Sequence, residues 1–421
     1  MSMNNEIKLV PKLRFPEFNK DKEWQLTTIG EVGKFYYGKS APKWSLSSDA
    51  PTLCVRYGEL YTKFDTIISK IYSRTNIDPS NLKFSKGGEI LVPRVGEIPQ
   101  DFAKHCCYLP FPSIAIGEMI SVYETAEYPI FYAYYFRTLW KQFAEVVEGQ
   151  NVKNLYYVNL EPIFVGKPSY LEQQKIAACL SSLDDVITAE SQKLEMLKEH
   201  KKGLLQNLFP QEGETVPRLR FKEYRYAGNW KPETLGQVCD VRDGTHDSPK
   251  FFNTGKPLVT SKNLLSDGTL DLVNTSLISE QDYEQINKRS RVDVGDILFG
   301  MIGTIGNPVM VNNDGFAIKN VALIKQKHKL LNKFLVQLLN SGYIVAKLSV
   351  LNKGNAQKFI ALGVLRNLEI LYPLPEEQQK IADCLSSLDE LIYANNQKVE
   401  DLKLHKKGLL QGLFPEINEI I

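Results

Sequence analysis

The sequence predicts a mixed α/β protein built twice over: two similar globular domains, each followed by a long helix. The two helices are expected to pair as an antiparallel coiled coil under an internal pseudo-two-fold symmetry. Three observations predict this. Residues 172–210 and 377–415 agree at 29 of 39 positions without a gap, at an offset of 205. Upstream, VPKLRFPEF at 10–18 is echoed by VPRLRFKEY at 216–224, and Trp24, Gly30 and Gly38 by Trp230, Gly236 and Gly244. Between these shared ends lie about 130 residues per half that barely align. A repeat this long exceeds any solenoid unit, so each half is a domain plus a segment. The resulting boundaries are 1–168, 169–210, 211–373 and 374–421.

The domains read as short apolar and β-branched runs between Gly, Pro and Asn turns. Gly88-Glu89-Ile90-Leu91-Val92 and Asp296-Ile297-Leu298-Phe299 are two such strands, and GGEILVPRVGEI at 87–98 resembles VGDILFGMIGTI at 294–305. One helix is predicted near the end of each variable region, over 129–148 and 331–351. The loops carry cations, amides and aromatics. In the first half these are Lys34, Tyr36, Lys39, Lys43, Arg56, Tyr57 and Arg94; in the second, Arg242, His246, Lys250, Lys262, Asn263, Lys319 and Asn320. Arg and Lys can meet phosphates or guanine edges and Asn or Gln can pair with adenine, so the set suits base readout. The same side chains also populate ordinary solvated loops. Gly149-Gln150-Asn151 and Gly354-Asn355-Ala356-Gln357 stand at equivalent places. They suit either a tight loop approaching a base edge or a helix stop with Gly just past the end.

The repeated segments read as long helices with 4-3 apolar spacing. The first seam is Ile176, Leu180, Leu183, Ile187, Leu194, Leu197, Leu204 and Leu208; the second is Ile381, Leu385, Leu388, Ile392, Val399, Leu402, Leu409 and Leu413. Polar residues interrupt it at Glu190 or Asn395 and at Lys201 or Lys406, and Pro210 and Pro415 end the helices. About 38 residues at 1.5 Å each make a rod of roughly 55 Å. Neither helix can bury its seam alone, and the other copy is the obvious partner. Each carries five Lys and six Asp or Glu, which suits helix packing better than a basic arm on DNA.

Bulk properties exclude little else. With 43% hydrophobic and 24% charged residues the chain has the composition of a soluble protein, and no apolar run is long enough for a membrane span. The opening MSMNNEIKLVPKLRF lacks the apolar core of a secretory signal. Six scattered cysteines without a CxxC fit reduced thiols, so a cytoplasmic location is expected. The formal net charge of +2 is uninformative, because basic residues can gather on one face.

The EQQKIA opening of each helix, its HKKGLLQ…LFP close and the PxLRF…W…LG lead-in resemble the specificity subunits of type I restriction-modification systems. GTHDSPKFFNTGKPLVTSKNL at 244–264, GDILFG at 295–300 and IGTIG at 302–306 are similar to one common type of their target recognition domains. The first half has GKSAPKW instead, so its loops match less well. The resemblance implies a non-catalytic subunit whose two target recognition domains read the halves of a gapped double-stranded DNA site. The paired helices would set the spacing. Two copies of a DNA adenine methyltransferase and restriction-translocase subunits would be the partners. S-adenosylmethionine, ATP and Mg²⁺ would belong to those partners alone, and phage defence would be the biological role.

Other chemistry finds little support. GKFYYGKS at 33–40 matches the phosphate-loop pattern, but Ala41-Pro42-Lys43-Trp44-Ser45 opens no apolar helical face behind it. No [ND]PP[FY] string holds a target amine, and Asn307-Pro308-Val309-Met310 is not one. His105, Cys106 and Cys107 adjoin, yet neighbours in a strand face opposite ways, so a packed core segment is expected. Cys179 and Cys384 are expected as small core residues, and five histidines lack metal-ligand spacing. The rival readings are a tandem-domain coiled-coil adaptor that binds no DNA and a fused enzyme with an unrecognised site.

Overall fold

Each half is closed by a short antiparallel ribbon: Gln25–Thr28 pairs with Phe164–Lys167, and Lys231–Thr234 with Glu369–Tyr372. The structure, a computed structural model, describes residues 9–327, 329–351 and 359–417. They form two compact units. The first holds the described residues up to Ser191 and from Lys398 onward, and the second holds Gln192–Gln397.

In the first unit the main sheet has the order Gly33–Tyr37, Ile120–Thr125, Glu89–Pro93, Cys107–Leu109. All its pairings are antiparallel, with Val122 opposite both Tyr36 and Leu91. Glu89–Pro93 is buried throughout, which is why it reads as an apolar run and not as an alternating strand. A second sheet orders Ser73–Thr75, Thr52–Val55, Pro112–Ile116 and Phe84–Lys86, with one parallel pairing at Cys54 and Ala115. Against the main sheet lies the helix Pro129–Thr138, whose Phe131, Tyr132, Tyr134, Tyr135 and Phe136 are all fully buried. The Trp24 indole meets Phe131 edge-on at 5.8 Å and Phe414 at 6.5 Å.

The second unit repeats the plan. Its main sheet orders Cys239–Asp243, Val321–Gln326, Ile297–Gly300, Gly306–Met310. Its smaller sheet orders Ser276–Ile278, Lys256–Val259 and Ala317–Ile318, with the parallel pairing at Leu258 and Ala317. Trp230 is buried against Phe209 and Phe334.

The single helices expected over 129–148 and 331–351 are each two. Pro129–Thr138 gives way to Trp140–Glu145, and Asn332–Leu339 to Gly342–Leu351. In both, the last turn tightens to i→i−3 bonding, Leu139 N–H to Phe136 O and Asn340 N–H to Gln337 O. In the second unit Ser341 then starts the next helix, its hydroxyl accepting from Ile344 N–H.

The repeated segments form α1 (Tyr170–Asn207) and α2 (Pro375–Leu413). Within the first unit Asp184 pairs with Lys406 and Glu190 with Lys398, so the segments run antiparallel there. Within the second unit Lys201 pairs with Asp389 at 2.5 Å. All sixteen seam residues are buried or half-buried. The polar interruptions at Lys201 and Lys406 thus meet the Asp of the facing segment. Tyr134 donates to Asp184 at 2.7 Å and Gln337 to Asp389 at 2.8 Å, tying each domain to the seam in the same way.

Candidate nucleic-acid interface

The strand Gly33–Tyr37 ends at Gly38 for a steric reason: a Cβ there would lie 2.2 Å from the Gly117 carbonyl oxygen. Gly244 meets the Ile318 carbonyl at the same 2.2 Å. Beyond each glycine the chain leaves the sheet as a loop rich in cations. In the first unit Lys34, Lys39 and Lys43 are exposed. Arg56 is half-buried, and its Nε donates to the Ala41 carbonyl at 3.2 Å, bracing the loop from behind. Tyr57, next to it, packs on the apolar cluster around Leu60. Tyr36 lies beneath the Lys83 ammonium, 3.9 Å from its ring centroid, and burial pushes its hydroxyl pKa up. The Arg94 guanidinium stacks 4.5 Å from the Tyr37 ring and 5.4 Å from Tyr156, with its Nε buried and unpartnered. Gln150 and Asn151 are exposed at the tip of a turn closed by the Glu148–Asn154 bridge. Gly149 has φ +97° and opens this turn, and the helix before it ends at Glu145, so the glycine is no helix stop. Asn355 and Gln357, at the equivalent place, lie outside the described residues.

In the second unit several candidates are engaged within the fold. Asn263 is a correction: it is 6% exposed, accepts from Thr260, and donates to the Asn274 carbonyl at 3.2 Å. Its amide braces a turn, because an interior amide must satisfy its own bonds. Arg242 donates twice to Asp240, holding that carboxyl below its usual range, and so presents little free charge. His246 bridges Asp243 at 2.9 Å and Asn320 at 2.8 Å, and Asp243 also pairs with Arg289. Lys319 reaches Ser248 at 2.5 Å. Asn320 adopts φ +55°, a conformation Asn tolerates better than most residues. Lys250 and Lys262 are exposed.

A clamp common to both units went unnoticed in the sequence. Arg14 forms a two-bond pair with Glu172, both bonds 2.8 Å, and Arg220 does so with Glu377 at 2.7 Å. All four side chains are at most 8% exposed. The Gln that follows each Glu holds the domain: Gln173 accepts from Tyr128 N–H, and Gln378 from Leu331 N–H. The signal was present in the two repeated motifs, LRF and EQQ, which meet here. Beside each clamp is an open cleft. One of about 430 Å³ is lined by Arg14, Lys20, Lys22 and Ser169, the other of about 460 Å³ by Arg220, Lys231, Lys329 and Tyr372.

The phosphate-loop pattern at 33–40 is half strand, and no helix of more than three residues starts behind Lys39 and Ser40. Cys106 and Cys107 are fully buried, and burial pushes the Cys107 thiol up to about 12. Cys179 and Cys384, expected in the core, are half-buried. Among the described residues no group of His, Cys, Asp or Glu could hold a metal, and no helix is long and apolar enough to cross a membrane.

Comparison with known proteins gives a consistent set of likenesses. Residues 227–404 match the family described as Type I restriction modification DNA specificity domain. The type I restriction enzyme MjaVIII specificity subunit of Methanocaldococcus jannaschii is 24% identical over 426 residues, covering 96% of this chain and 93% of the relative. The MjaIX specificity subunit of the same organism is 24% identical over 302 residues, covering 68% and 67%. Among solved structures, the S subunit of a type I system from M. genitalium aligns with a TM-score of 0.64 at 14% identity, over 97% of this chain and 99% of that one. A chain from a structural study of complex assembly and conformational transition in the type I R-M system aligns at 0.55 and 18%, over 93% and 97%. At these identities the structural likeness concerns the fold.

Proposed function

We propose that this chain is a specificity subunit of a type I restriction-modification system and that it reads a gapped DNA site, one half with each unit. The observation that carries the reading is a contrast between frame and face. The two units share main-sheet strand order, clamp and seam pairs, yet differ in the side chains their loops present. Arg94, stacked on tyrosines, has the buried Met301 at its equivalent place, each carbonyl accepting from the segment that follows the domain helices. Lys39-Ser40-Ala41 stands where the second unit has Thr245-His246-Asp247-Ser248. Equal frames suit two identical partners, and unequal faces suit two different half-sites.

On this reading two copies of a DNA adenine methyltransferase dock on equivalent surfaces, of which the paired clefts are one repeated feature, and restriction-translocase subunits join them. The paired helices set the distance between half-sites, which must present the same side of the duplex, about one helical turn apart. The chain itself is non-catalytic. S-adenosylmethionine, ATP and Mg²⁺ belong to the partners, and the complex works in the cytoplasm.

The test is to co-express the chain with its genomically adjacent methyltransferase and map methylated adenines across a genome. A gapped motif that disappears without this chain is expected, and exchanging residues 211–370 should alter one half of it. Co-purification of the two proteins without any gapped motif would make the chain an adaptor instead.

A further inference from the structure

Two aromatic side chains stand in solvent where an ordinary fold would bury them. Trp44 is 77% exposed and Phe251 is 60% exposed. They occupy matching places, because Pro42-Lys43-Trp44 follows Gly38 as Pro249-Lys250-Phe251 follows Gly244. Neither belongs to an apolar cluster.

Their loops are held firmly. In the first unit Ser40 and Ala41 both have positive φ, 63° and 59°. That backbone is fixed by Glu118 N–H to Ser40 O, Arg56 Nε to Ala41 O, and Ser45 Oγ to Pro42 O. In the second, Thr245 N–H bonds Ile318 O, Phe252 N–H bonds Leu277 O, and His246 and Lys319 tie down the segment between. A rigid loop presenting a free aromatic is a preorganised contact.

The charge around each aromatic favours one occupant. Residues 34–47 contain Lys34, Lys39 and Lys43 and no acid, and residues 249–262 contain Lys250, Lys256 and Lys262 and no acid. Lys256 is paired with Glu280, but Lys43 and Lys250 directly precede the two aromatics. An exposed aromatic next to a lysine suits duplex DNA, whose grooves expose thymine methyl groups and whose backbone is anionic.

We propose that Trp44 and Phe251 are base-contacting residues, one per half-site, each packed against base edges in a groove of duplex DNA while the adjoining Lys43 or Lys250 meets a phosphate. The proposal rests on the DNA-reading role inferred above and adds two residues that a search for cations and amides passes over.

The test uses the full chain purified with its methyltransferase, and duplexes carrying its gapped site. W44A should weaken binding about tenfold and blur the motif in one half only, with W44F largely restoring both. F251A should do the same for the other half. K43A should weaken all sequences alike and lower the salt slope by about one. Iodide quenching gives a second measure. Of the four tryptophans, Trp24 and Trp230 are buried and Trp44 is the most exposed, so site DNA should shield the fluorescence of the wild type more than that of W44A. Wild-type affinity and an unchanged motif in both variants would overturn the assignment while leaving the DNA-reading role intact. Loss of the methyltransferase from W44A would also overturn it, by placing the aromatic against protein. A wild-type complex with no gapped site would sink both readings.

Discussion

Replacing Arg220 by methionine strips Glu377 of its partner in a place that water barely reaches, since the two side chains are 7% and 2% exposed. The arginine makes two bonds of 2.7 Å to the carboxylate and donates to the Ala227 and Gly228 carbonyls, so four bonds are lost together. Breaking a buried pair by removing one member costs about 3–5 kcal/mol, most of it from the stranded charge. For a unit of roughly 200 residues, each kcal/mol shifts Tm by about 2–4 °C, so R220M should melt about 6–20 °C lower. The double variant R220M/E377L removes the stranded charge and should recover most of that loss. Hydrogen exchange adds location: the ribbon Lys231–Thr234 with Glu369–Tyr372 should exchange faster, while Gln25–Thr28 with Phe164–Lys167 stays protected. A shift below about 2 °C in R220M, or a double variant no better than the single, would refute the clamp as a stabilising unit.

Three further outcomes are expected. Asp240 titrates below its usual range because Arg242 donates to it, so its contribution to stability is present above about pH 4 and lost as pH falls through the depressed folded value. Acid unfolding followed by circular dichroism should therefore lose part of its steepness in R242M. At neutral pH, D240N frees Arg242 and should tighten non-specific DNA binding a few-fold at low salt while steepening its salt dependence, read by fluorescence anisotropy. Inserting one heptad between 184 and 197 should lengthen the gap in the methylated motif or abolish methylation; an unchanged gap would dismiss the spacer role of the helices.

The helices were legible because their information is local and doubled: a 3.5-residue period, a terminating proline and near-identical copies. The clamp was hidden although its residues lay in plain view, since Arg14 and Glu172 are 158 positions apart and nothing in either motif names the other. The break after Thr138 escaped notice because an apolar period runs through it, and the tightening to i→i−3 bonding is decided by packing. Loop chemistry was legible as residue type and illegible as direction. Asn263 and Lys262 are neighbours of like promise, yet one faces a turn it must brace and the other faces water. Trp44 was passed over because large apolar residues are assigned to the core by default, and only the structure shows one left outside.

The same physics explains why the two halves could diverge where they did. A change at Arg14, Glu172, Arg220 or Glu377 strands a buried charge, so neither copy of the clamp can drift alone. The seam ion pairs Asp184–Lys406 and Lys201–Asp389 are coupled too, because each joins the two helices and each Asp is bound again by a domain side chain. Substitutions on an exposed loop seldom change stability by more than about 0.5 kcal/mol. Lys39, Lys43, Trp44, Lys250, Phe251 and Lys262 all stand on such surfaces, while the main sheet keeps one strand order in both units. Stability therefore constrains the frame and leaves the faces open, which is the separation that the proposed reading of two unlike half-sites requires.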